Sequence, residues 1–237
     1  MIFATGDIHG VPWQVYKFAK KHKLTYDDVI IIPGDVGANF YGGEKDEEMK
    51  RNITKHPVTL LCVHCNHEMR PWEAKGYHLQ AWNGGYVFVN DKYPHMLFAK
   101  DGEIYTIDGI RFMAIGGAYS VDKWWRLRLG NSWWPSEQPT EEIKAFVEAQ
   151  LASHEVDVFL SHTCPRKYEP VEVFLPHIDQ SMVDKSTEDW LDTIEERYSY
   201  KAWFCGHWHV DKRIDKMHFM YRGWELIEKE MLLTDEI

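Results

Sequence analysis

Three short apolar runs, each ended by glycine or polar residues, most strongly limit what this chain can fold into. The runs are MIFAT (1–5), DVIIIPGD (28–35) and VTLLCVHCN (58–66), and helix-compatible stretches at 12–22 and 44–55 separate them. Continuous apolar runs of this length are typical of strands that are buried on both faces. Strands that alternate with helices in this way predict a parallel sheet covered by helices, and therefore an α/β fold.

The pattern changes after residue 86. Asp108 and Gly109 lie between two alternating runs in 103–118, which predicts a hairpin. Residues 119–139 have no clear periodicity, and we interpret them as a surface excursion. The expected elements that follow are a helix over 140–153 capped by Thr140, a strand over 156–162, a helix over 186–198 capped by Ser186 or Thr187, a strand over 202–209 and a closing strand within 218–228.

Composition limits the classes of function. The chain has 237 residues and a net charge of −10, which argues against a surface that binds nucleic acid. No apolar run approaches the length of a membrane span, and Met1 leads straight into a strand without a signal peptide, so we expect a cytoplasmic protein. We expect a single domain over 1–237, with a Trp- and Arg-rich, cap-like excursion at about 118–139.

The cysteines are best interpreted as reduced and mostly buried thiols. Of the four, Cys62 and Cys65 form a CxxC pair, which could indicate zinc or redox chemistry. No second pair accompanies it, and Cys62 lies inside an apolar run. Buried thiols are also what a cytoplasmic protein would carry.

Two histidines, His207 and His209, stand one residue apart in GHWH, directly after a strand-like run. On extended backbone they would point to the same face, with Trp208 opposite. Taken alone, the pair indicates either a metal site or a chance pairing at a wet edge. The other strand ends decide between these two interpretations.

Five segments of the chain carry imidazole, carboxylate or amide groups where a strand ends. In an open α/β sheet, ligands bind at the carboxyl ends of the strands. Mixed imidazole and carboxylate suits Mn, Fe, Zn, Ni or Co, and seven ligands suit two ions about 3.5–4 Å apart that share one carboxylate. The seven candidate ligands are Asp7, His9, Asp35, Asn66, His162, His207 and His209, and His67 stands beside Asn66 as a further candidate group.

The ordered motifs resemble those of the calcineurin-like metallophosphoesterase superfamily, in its small bacterial or phage-type form. That family carries D-x-H, G-D, G-N-H-E, a lone His and G-H-x-H in this order. All five occur here in this order, the third as Cys65-Asn66-His67-Glu68, and they span residues 7–209. The resemblance implies a four-layer α/β/β/α sandwich of two mixed β-sheets flanked by helices. It places the hairpin and the strands after 202 mainly in the second sheet.

The resemblance also implies a role for each group. Asp7, His9, Asp35 and His209 would hold one divalent ion, and Asp35, Asn66, His162 and His207 would hold the other, with Asp35 bridging and Mn²⁺ the preferred ion. A hydroxide between the ions would attack phosphorus. His67 would give a proton to the leaving oxygen instead of binding metal.

Three departures from the family bear on this expectation. Cys65 replaces the usual Gly before Asn-His-Glu, where a positive φ would strain the backbone. In the protein phosphatases of the superfamily, an Asp that pairs with the catalytic His and an Arg that grips phosphate occupy the positions of Ala38 and Asn39. The sequence therefore argues against a protein phosphatase.

Two arginines are candidate substrate-binding residues. Arg126, in the Trp-rich excursion, could replace the missing phosphate clamp, since guanidinium groups bind phosphate through two donors. Arg70 closely follows the third motif and could also reach phosphate. The tryptophans near Arg126 could stack on a base or an aromatic leaving group, or could form an apolar cap.

The predicted function is hydrolysis of a small phosphomonoester, phosphodiester or nucleotide by a dimetal phosphoesterase. A metal-dependent nuclease is the first alternative, and the negative charge argues against it. A non-catalytic interaction scaffold of the same fold is the second. The scaffold members of the superfamily lack a ligand or the catalytic His, and this chain lacks neither.

Overall fold

The computed structural model describes residues 1–130 and 132–233. Within these ranges, no helix has both the length and the apolar character that crossing a bilayer requires. The strands are β1 (Ile2–Thr5), β2 (Val29–Ile32), β3 (Thr59–Cys62), β4 (Tyr77–Trp82), β5 (Gly85–Asn90), β6 (Met96–Ala99), β7 (Ile104–Ile107), β8 (Ile110–Ile115), β9 (Val158–Ser161), β10 (Ala202–Cys205), β11 (Lys212–Ile214), β12 (Met217–Phe219) and β13 (Trp224–Ile227). The helices are α1 (Trp13–His22), α2 (Glu44–Ile53), α3 (Lys123–Arg128), α4 (Glu141–Leu151) and α5 (Ser186–Arg197).

Two mixed sheets form the centre of the molecule. The first has the strand order β13-β1-β2-β3-β6-β5-β4, and the second has the order β11-β12-β10-β9-β8-β7. The strands β1, β2, β3 and β6 run parallel in the first sheet, as do β8, β9, β10 and β12 in the second. Parallel strands end at the same edge, so each sheet gathers its strand-end loops on one side.

Successive residues of each central strand enter different apolar layers. In β1, Ile2 and Ala4 belong to the layer between the two sheets, whereas Phe3 packs in the outer layer that contains α1 and α2. The outer face of the second sheet is covered in the same way by α4 and α5. Because both faces of these strands are buried, their sequences are continuously apolar. This arrangement confirms the expected four-layer α/β/β/α sandwich.

Several boundaries differ from those predicted. The closing strand predicted within 218–228 is two strands in the structure. Of these, β12 lies in the second sheet, whereas β13 pairs antiparallel with β1 in the first. The strand predicted over 202–209 ends at Cys205, so His207 and His209 lie beyond it. Thr140 caps α4 as predicted, with its hydroxyl accepting from the Ile143 N–H. Ser186, by contrast, is the first residue of α5 and does not cap it.

The excursion contains more structure than its sequence indicated. Residues 119–139 include α3 and a short 3-10 turn, Pro135–Glu137. Trp124 and Trp125 are exposed, whereas Arg126, the next residue of the helix, is buried. The excursion thus has a solvent side and a side that faces the protein interior. The assignment of 1–237 to a single domain stays a prediction.

Asp157, which directly precedes β9, connects this strand to Arg111 of β8 and to Lys201 before β10. These contacts predict a pH dependence of the stability of the protein. Its carboxylate accepts from the Arg111 backbone N–H at 3.0 Å and side-chain Nε at 2.9 Å, and it lies 3.3 Å from the Lys201 ammonium. Hydrogen bonds from Arg111 lower the pKa of Asp157 to about 2. A lowered folded-state pKa stabilises the protein above the unfolded-state pKa of about 3.9, and this stability is lost as the pH falls toward 2.

We therefore expect Asp157→Asn to lower the stability by about 1–3 kcal/mol above pH 4. The difference from wild type should shrink between about pH 4 and pH 2, because the wild-type carboxylate is then protonated. Thermal melts over this pH range measure it. Glu155→Gln, which removes the exposed partner of Arg111, is the control and should change little. A stability difference between Asp157→Asn and wild type that stays constant down to pH 2 would contradict the lowered pKa of Asp157.

Candidate metal centre

All seven predicted ligands lie in loops at the carboxyl ends of parallel strands. Asp7 and His9 follow β1, Asp35 follows β2, and Asn66 follows β3 in the first sheet. His162 follows β9, and the two last histidines follow β10 in the second. The two sheets thus present their strand-end loops to one another at this edge. The predicted proton donor, His67, follows Asn66 in the chain.

The backbone at this edge is held in an uncommon conformation. Within the described ranges, eight residues other than glycine have positive φ, and four of them are His9, Asp35, His207 and His209. Left-handed backbone is unfavourable for residues with a Cβ atom, and it concentrates at functional sites. The extended geometry expected for GHWH is therefore wrong, because His207 and His209 have φ values of 66° and 50°.

One group of side chains converges around Asp7. Each of Asp7, His9, Asp35 and His209 offers one ligand atom, and these atoms all lie within 4.8 Å of one another. The Nε2 atoms of His9 and His209 are 2.8 Å apart, and His209 Nε2 is 3.3 Å from Asp7 Oδ2. These four residues are those that the resemblance assigned to one ion.

A second group lies on the other side of Asp35. His162 Nε2 is 3.7 Å from Asp35 Oδ1 and 2.8 Å from Asn66 Oδ1. The rings of His162 and His207 have centroids 5.0 Å apart. Asp35 Oδ2 lies instead toward the first group, 3.8 Å from His9 Nδ1. Asp35 therefore directs one oxygen to each group, as a bridging carboxylate would.

His162 is oriented by the backbone. Its Nδ1 lies 2.9 Å from the carbonyl oxygen of Pro33, which can only accept a hydrogen bond. Nδ1 therefore carries the proton, and Nε2 keeps a lone pair that faces Asn66 and Asp35. A backbone carbonyl that fixes the tautomer in this way is common behind metal-binding histidines.

The electrostatics of the edge suit a bound cation. Burial raises the pKa of Asp7, and burial together with the Asp7 charge raises the pKa of Asp35 well above its usual value. Asp7 Oδ1 and Asp35 Oδ1 are buried and have no hydrogen-bond partner within the described residues. Buried carboxylates in this condition are costly unless a positive charge neutralises them.

His9, His162 and His207 are neutral, because desolvation disfavours the charged imidazolium. Burial lowers the pKa of His9 to about 4 and that of His207 to about 3, and it lowers the pKa of His162 well below its usual value. Neutral imidazoles offer lone pairs to a metal, whereas imidazolium would repel it. Two buried carboxylates among neutral imidazoles fit divalent transition-metal ions.

Two glycines in the motifs are required by close packing. A Cβ atom at Gly34 would lie 2.0 Å from His162 Nδ1, and one at Gly206 would lie 2.2 Å from Asp7 Oδ1. Any side chain would therefore displace a candidate ligand. Glycine is therefore required in the Gly-Asp and Gly-His pairs because no space is left for a side chain, in addition to its backbone freedom.

His67 lies beside the two groups without joining either. Its ring is edge-to-face with that of His9, at a centroid distance of 6.1 Å. Burial and the nearby Arg126 charge lower the pKa of His67 to about 4, while Asp122 opposes this effect. Asp122 is thus the carboxylate that influences His67 here, on a different segment from the Asp of the protein phosphatases.

The GDVGANF stretch has a structural role that its sequence did not reveal. The backbone N–H groups of Ala38 and Asn39 donate to Glu68 Oε2 at 3.0 and 3.1 Å. Glu68 is buried, and Cys65 Sγ lies 3.4 Å from its other oxygen. Cys65 is not among the residues with positive φ, so the strain considered there does not arise. All four cysteines are free and buried, as expected.

Arg126 reaches the centre through Ser120. Asn66 Nδ2 donates to Ser120 Oγ at 3.0 Å, and Arg126 Nη1 donates to the same oxygen at 3.1 Å. Arg126 Nε donates to the Ser132 carbonyl at 2.9 Å. Sequence reasoning missed Ser120 altogether, because a single serine in an aperiodic stretch gives no signal. The excursion therefore supports a candidate ligand directly.

Arg70 lies elsewhere. Its side chain is 1% exposed, Nη1 forms an ion pair with Asp101, and Nε donates to the Ser136 carbonyl at 2.7 Å. The guanidinium is thus engaged with structural partners that tie the third motif to the excursion. This placement gives no support to the predicted contact between Arg70 and phosphate.

Comparisons with known proteins agree with this architecture. The family model described as calcineurin-like phosphoesterase matches residues 1–211. No curated protein sequence gives a significant match.

One solved structure shows a similar fold at low sequence identity, and two others match with lower TM-scores. The phosphopantetheinyl hydrolase PptH of Mycobacterium tuberculosis is 16% identical, with 93% of this chain and 87% of that chain covered and a TM-score of 0.51. A protein of Thermus thermophilus is 13% identical, with 87% and 80% covered and a TM-score of 0.48. The calcineurin-like phosphoesterase YfkN of Bacillus subtilis is 14% identical, with 88% and 72% covered and a TM-score of 0.38.

Proposed function

This chain belongs to the calcineurin-like phosphoesterase family, and from that membership we propose that it hydrolyses a phosphoester at a pair of divalent metal ions. The placement of Asp35 carries the proposal, because its two oxygens face two separate groups of candidate ligands. Members of the family generally bind two divalent ions. The unpartnered oxygens of Asp7 and Asp35 and the neutral imidazoles around them fit such ions.

One ion would be held by Asp7, His9, Asp35 and His209, and the other by Asp35, Asn66, His162 and His207. When bound, the two ions supply the positive charge that polarises a phosphoryl oxygen and lowers the pKa of water. Mn²⁺ is the preferred ion, and Fe²⁺, Zn²⁺, Ni²⁺ and Co²⁺ suit the same donors.

His67 would act on the leaving oxygen. In the phosphate-free protein the imidazole is neutral, because burial and Arg126 lower its pKa. A phosphate anion placed next to the ring would raise this pKa, since an adjacent negative charge favours imidazolium. Substrate binding would thus prepare His67 to donate a proton when the ester bond breaks.

The direct test is hydrolysis of p-nitrophenyl phosphate and of its bis-ester. We expect turnover that depends on added Mn²⁺ or Ni²⁺ and is abolished by a chelator. A labelled oligonucleotide assayed in parallel separates a nuclease from a small-ester hydrolase. Failure to turn over any phosphate ester with either ion would overturn the proposal.

Arg126 allows its two proposed roles to be separated. Because it holds Ser120, which in turn holds Asn66, we expect Arg126→Met to weaken Mn²⁺ binding by about 10–100-fold. Arg128→Met, on the exposed side of the same helix, is the matched control and should bind Mn²⁺ normally. Calorimetric Mn²⁺ titration measures the effect. A raised KM for substrate with normal Mn²⁺ affinity would instead support the phosphate contact predicted from the sequence.

A further inference from the structure

A cavity of about 480 Å³ opens beside the candidate metal centre, and Asp35, Asn66 and His67 form part of its wall. Segment 119–122 lines one side and segment 173–188 lines the other. Most of the remaining wall is apolar. The apolar lining includes Val121, Phe174, Leu175, Ile178, Val183 and Trp208.

These apolar side chains are arranged for contact with a ligand. The rings of Phe174 and Trp208 are stacked with centroids 5.6 Å apart, and the Lys185 ammonium lies 4.6 Å from the Phe174 ring centroid. Leu175 is 49% exposed and Val121 is 38% exposed. Apolar surface that stays in contact with water inside a cleft is typical of a ligand-binding site.

Besides Asp35 Oδ1, two polar atoms of the cavity residues lack partners within the part of the chain that the structure describes. One is the Trp208 Nε1–H, which can only donate, and the other is Glu188 Oε2. Glu188 is 3% exposed, and its other oxygen accepts from the Thr163 hydroxyl at 2.8 Å. Buried polar atoms without partners are costly, so they indicate the place of a ligand's polar group.

We propose, building on the proposed function, that this cavity binds the leaving group of the ester. The substrate class is then a phosphoester of an amphipathic alcohol, in which an apolar chain or ring carries one polar group toward Glu188 and Trp208. A sugar phosphate fits the same walls poorly. Its several hydroxyls would lose water against apolar side chains that offer them no partners.

The test is the affinity of n-alkylphosphonates of two to eight carbons, which keep the anion and vary only the apolar chain. In the Mn²⁺-loaded and in the metal-free protein, calorimetry should show about a fourfold gain for each methylene group until the cavity is full. Inhibition of p-nitrophenyl phosphate hydrolysis by the same series gives a second readout. A series with no chain-length dependence would overturn the inference.

Matched variants locate the contact. Leu175→Asp places a charge in the apolar wall and should flatten the dependence on chain length. Val171→Asp is the control, because Val171 lies two residues before the lining segment, is 67% exposed and does not line the cavity. Equal loss in both variants, or in neither, would show that the chain binds elsewhere and would overturn the inference.

The polar end is tested with chains that carry a terminal hydroxyl or a terminal methyl ether. At about pH 8.5, above the Glu188 pKa that burial raises to about 7, the carboxylate can only accept. The hydroxyl chain should then bind about 3–10-fold more tightly. Glu188→Gln keeps an acceptor for Thr163 and adds a donor, so it should remove this preference. An unchanged preference would refute the role of Glu188.

The outcomes separate this inference from the function on which it depends. Hydrolysis of p-nitrophenyl phosphate without a chain-length effect leaves the phosphoesterase proposal standing and removes the leaving-group cavity. Absence of both hydrolysis and phosphonate binding removes both. A steep chain-length effect that Leu175→Asp abolishes supports both when hydrolysis is also observed.

Discussion

Replacing Asp35 with asparagine should reduce phosphoester hydrolysis by about a thousandfold or more. The carboxylate directs one oxygen toward His9 and the other toward His162, so a neutral amide would weaken both proposed ion sites at once. Losing several kcal/mol of transition-state stabilisation corresponds to this factor. Steady-state hydrolysis of a reference ester at saturating Mn²⁺ measures the loss.

The same substitution should stabilise the metal-free protein. Asp35 is buried with an unpartnered oxygen next to the Asp7 carboxylate, so removing its charge is expected to gain about 1–3 kcal/mol. In the presence of a chelator, Asp35→Asn should therefore have a higher melting temperature than wild type. Added Mn²⁺ should raise the melting temperature of wild type only. The exposed Asp27→Asn is the control. An Asp35→Asn protein that binds Mn²⁺ and turns over normally would refute the bridging role.

His67→Gln should lower turnover by about 10²–10⁴-fold for alkyl or phenyl esters, the range expected when a general acid is lost. The loss should be much smaller for p-nitrophenyl esters, because a good leaving group needs little help from a proton. Mn²⁺ affinity should stay near that of wild type, since His67 lies beside the two ligand groups and belongs to neither. Rates for a series of leaving groups, together with Mn²⁺ calorimetry, measure both effects.

The exposed His154→Gln serves as the control for loss of an imidazole. An equal loss for every leaving group would indicate that His67 stabilises charge on the phosphoryl group without transferring a proton. Loss of Mn²⁺ binding would indicate that it acts as a ligand. Either result would contradict the proposed role.

The fold was predictable where burial leaves a continuous signal. The strands β1, β2 and β3 are buried on both faces and therefore appear as unbroken apolar runs. The edge strand β4 was missed because its four central residues are exposed, so its sequence has neither an apolar run nor a clean alternation. Its partner β5 and the next strand of the sheet, β6, were also missed. Strand pairing, which places β13 in the first sheet, depends on contacts between distant segments that no local pattern records.

The site was predictable at the level of residue types but not of backbone geometry. Polar groups after buried strands identified all seven residues that the structure gathers at one edge. The left-handed conformation of His207 and His209 could not be derived, because alternation rules apply only to extended chain. Ser120 and the Glu188 of the proposed cavity were missed because their contacts with Asn66 and Thr163 form only in the folded chain. The predicted contact between Arg70 and phosphate stays a prediction, because closeness in sequence does not determine where a side chain points, and this one is paired with Asp101.

The pairing of β1 with β13 has a consequence for synthesis on the ribosome. Ile2 lies opposite Ile227, so β1 is synthesised more than 200 residues before the strand that pairs with its outer edge. During translation that edge is open to other nascent chains, and unpaired strand edges favour aggregation. Slow translation of the segment between β1 and β13 prolongs this exposure and should therefore lower the yield of folded protein.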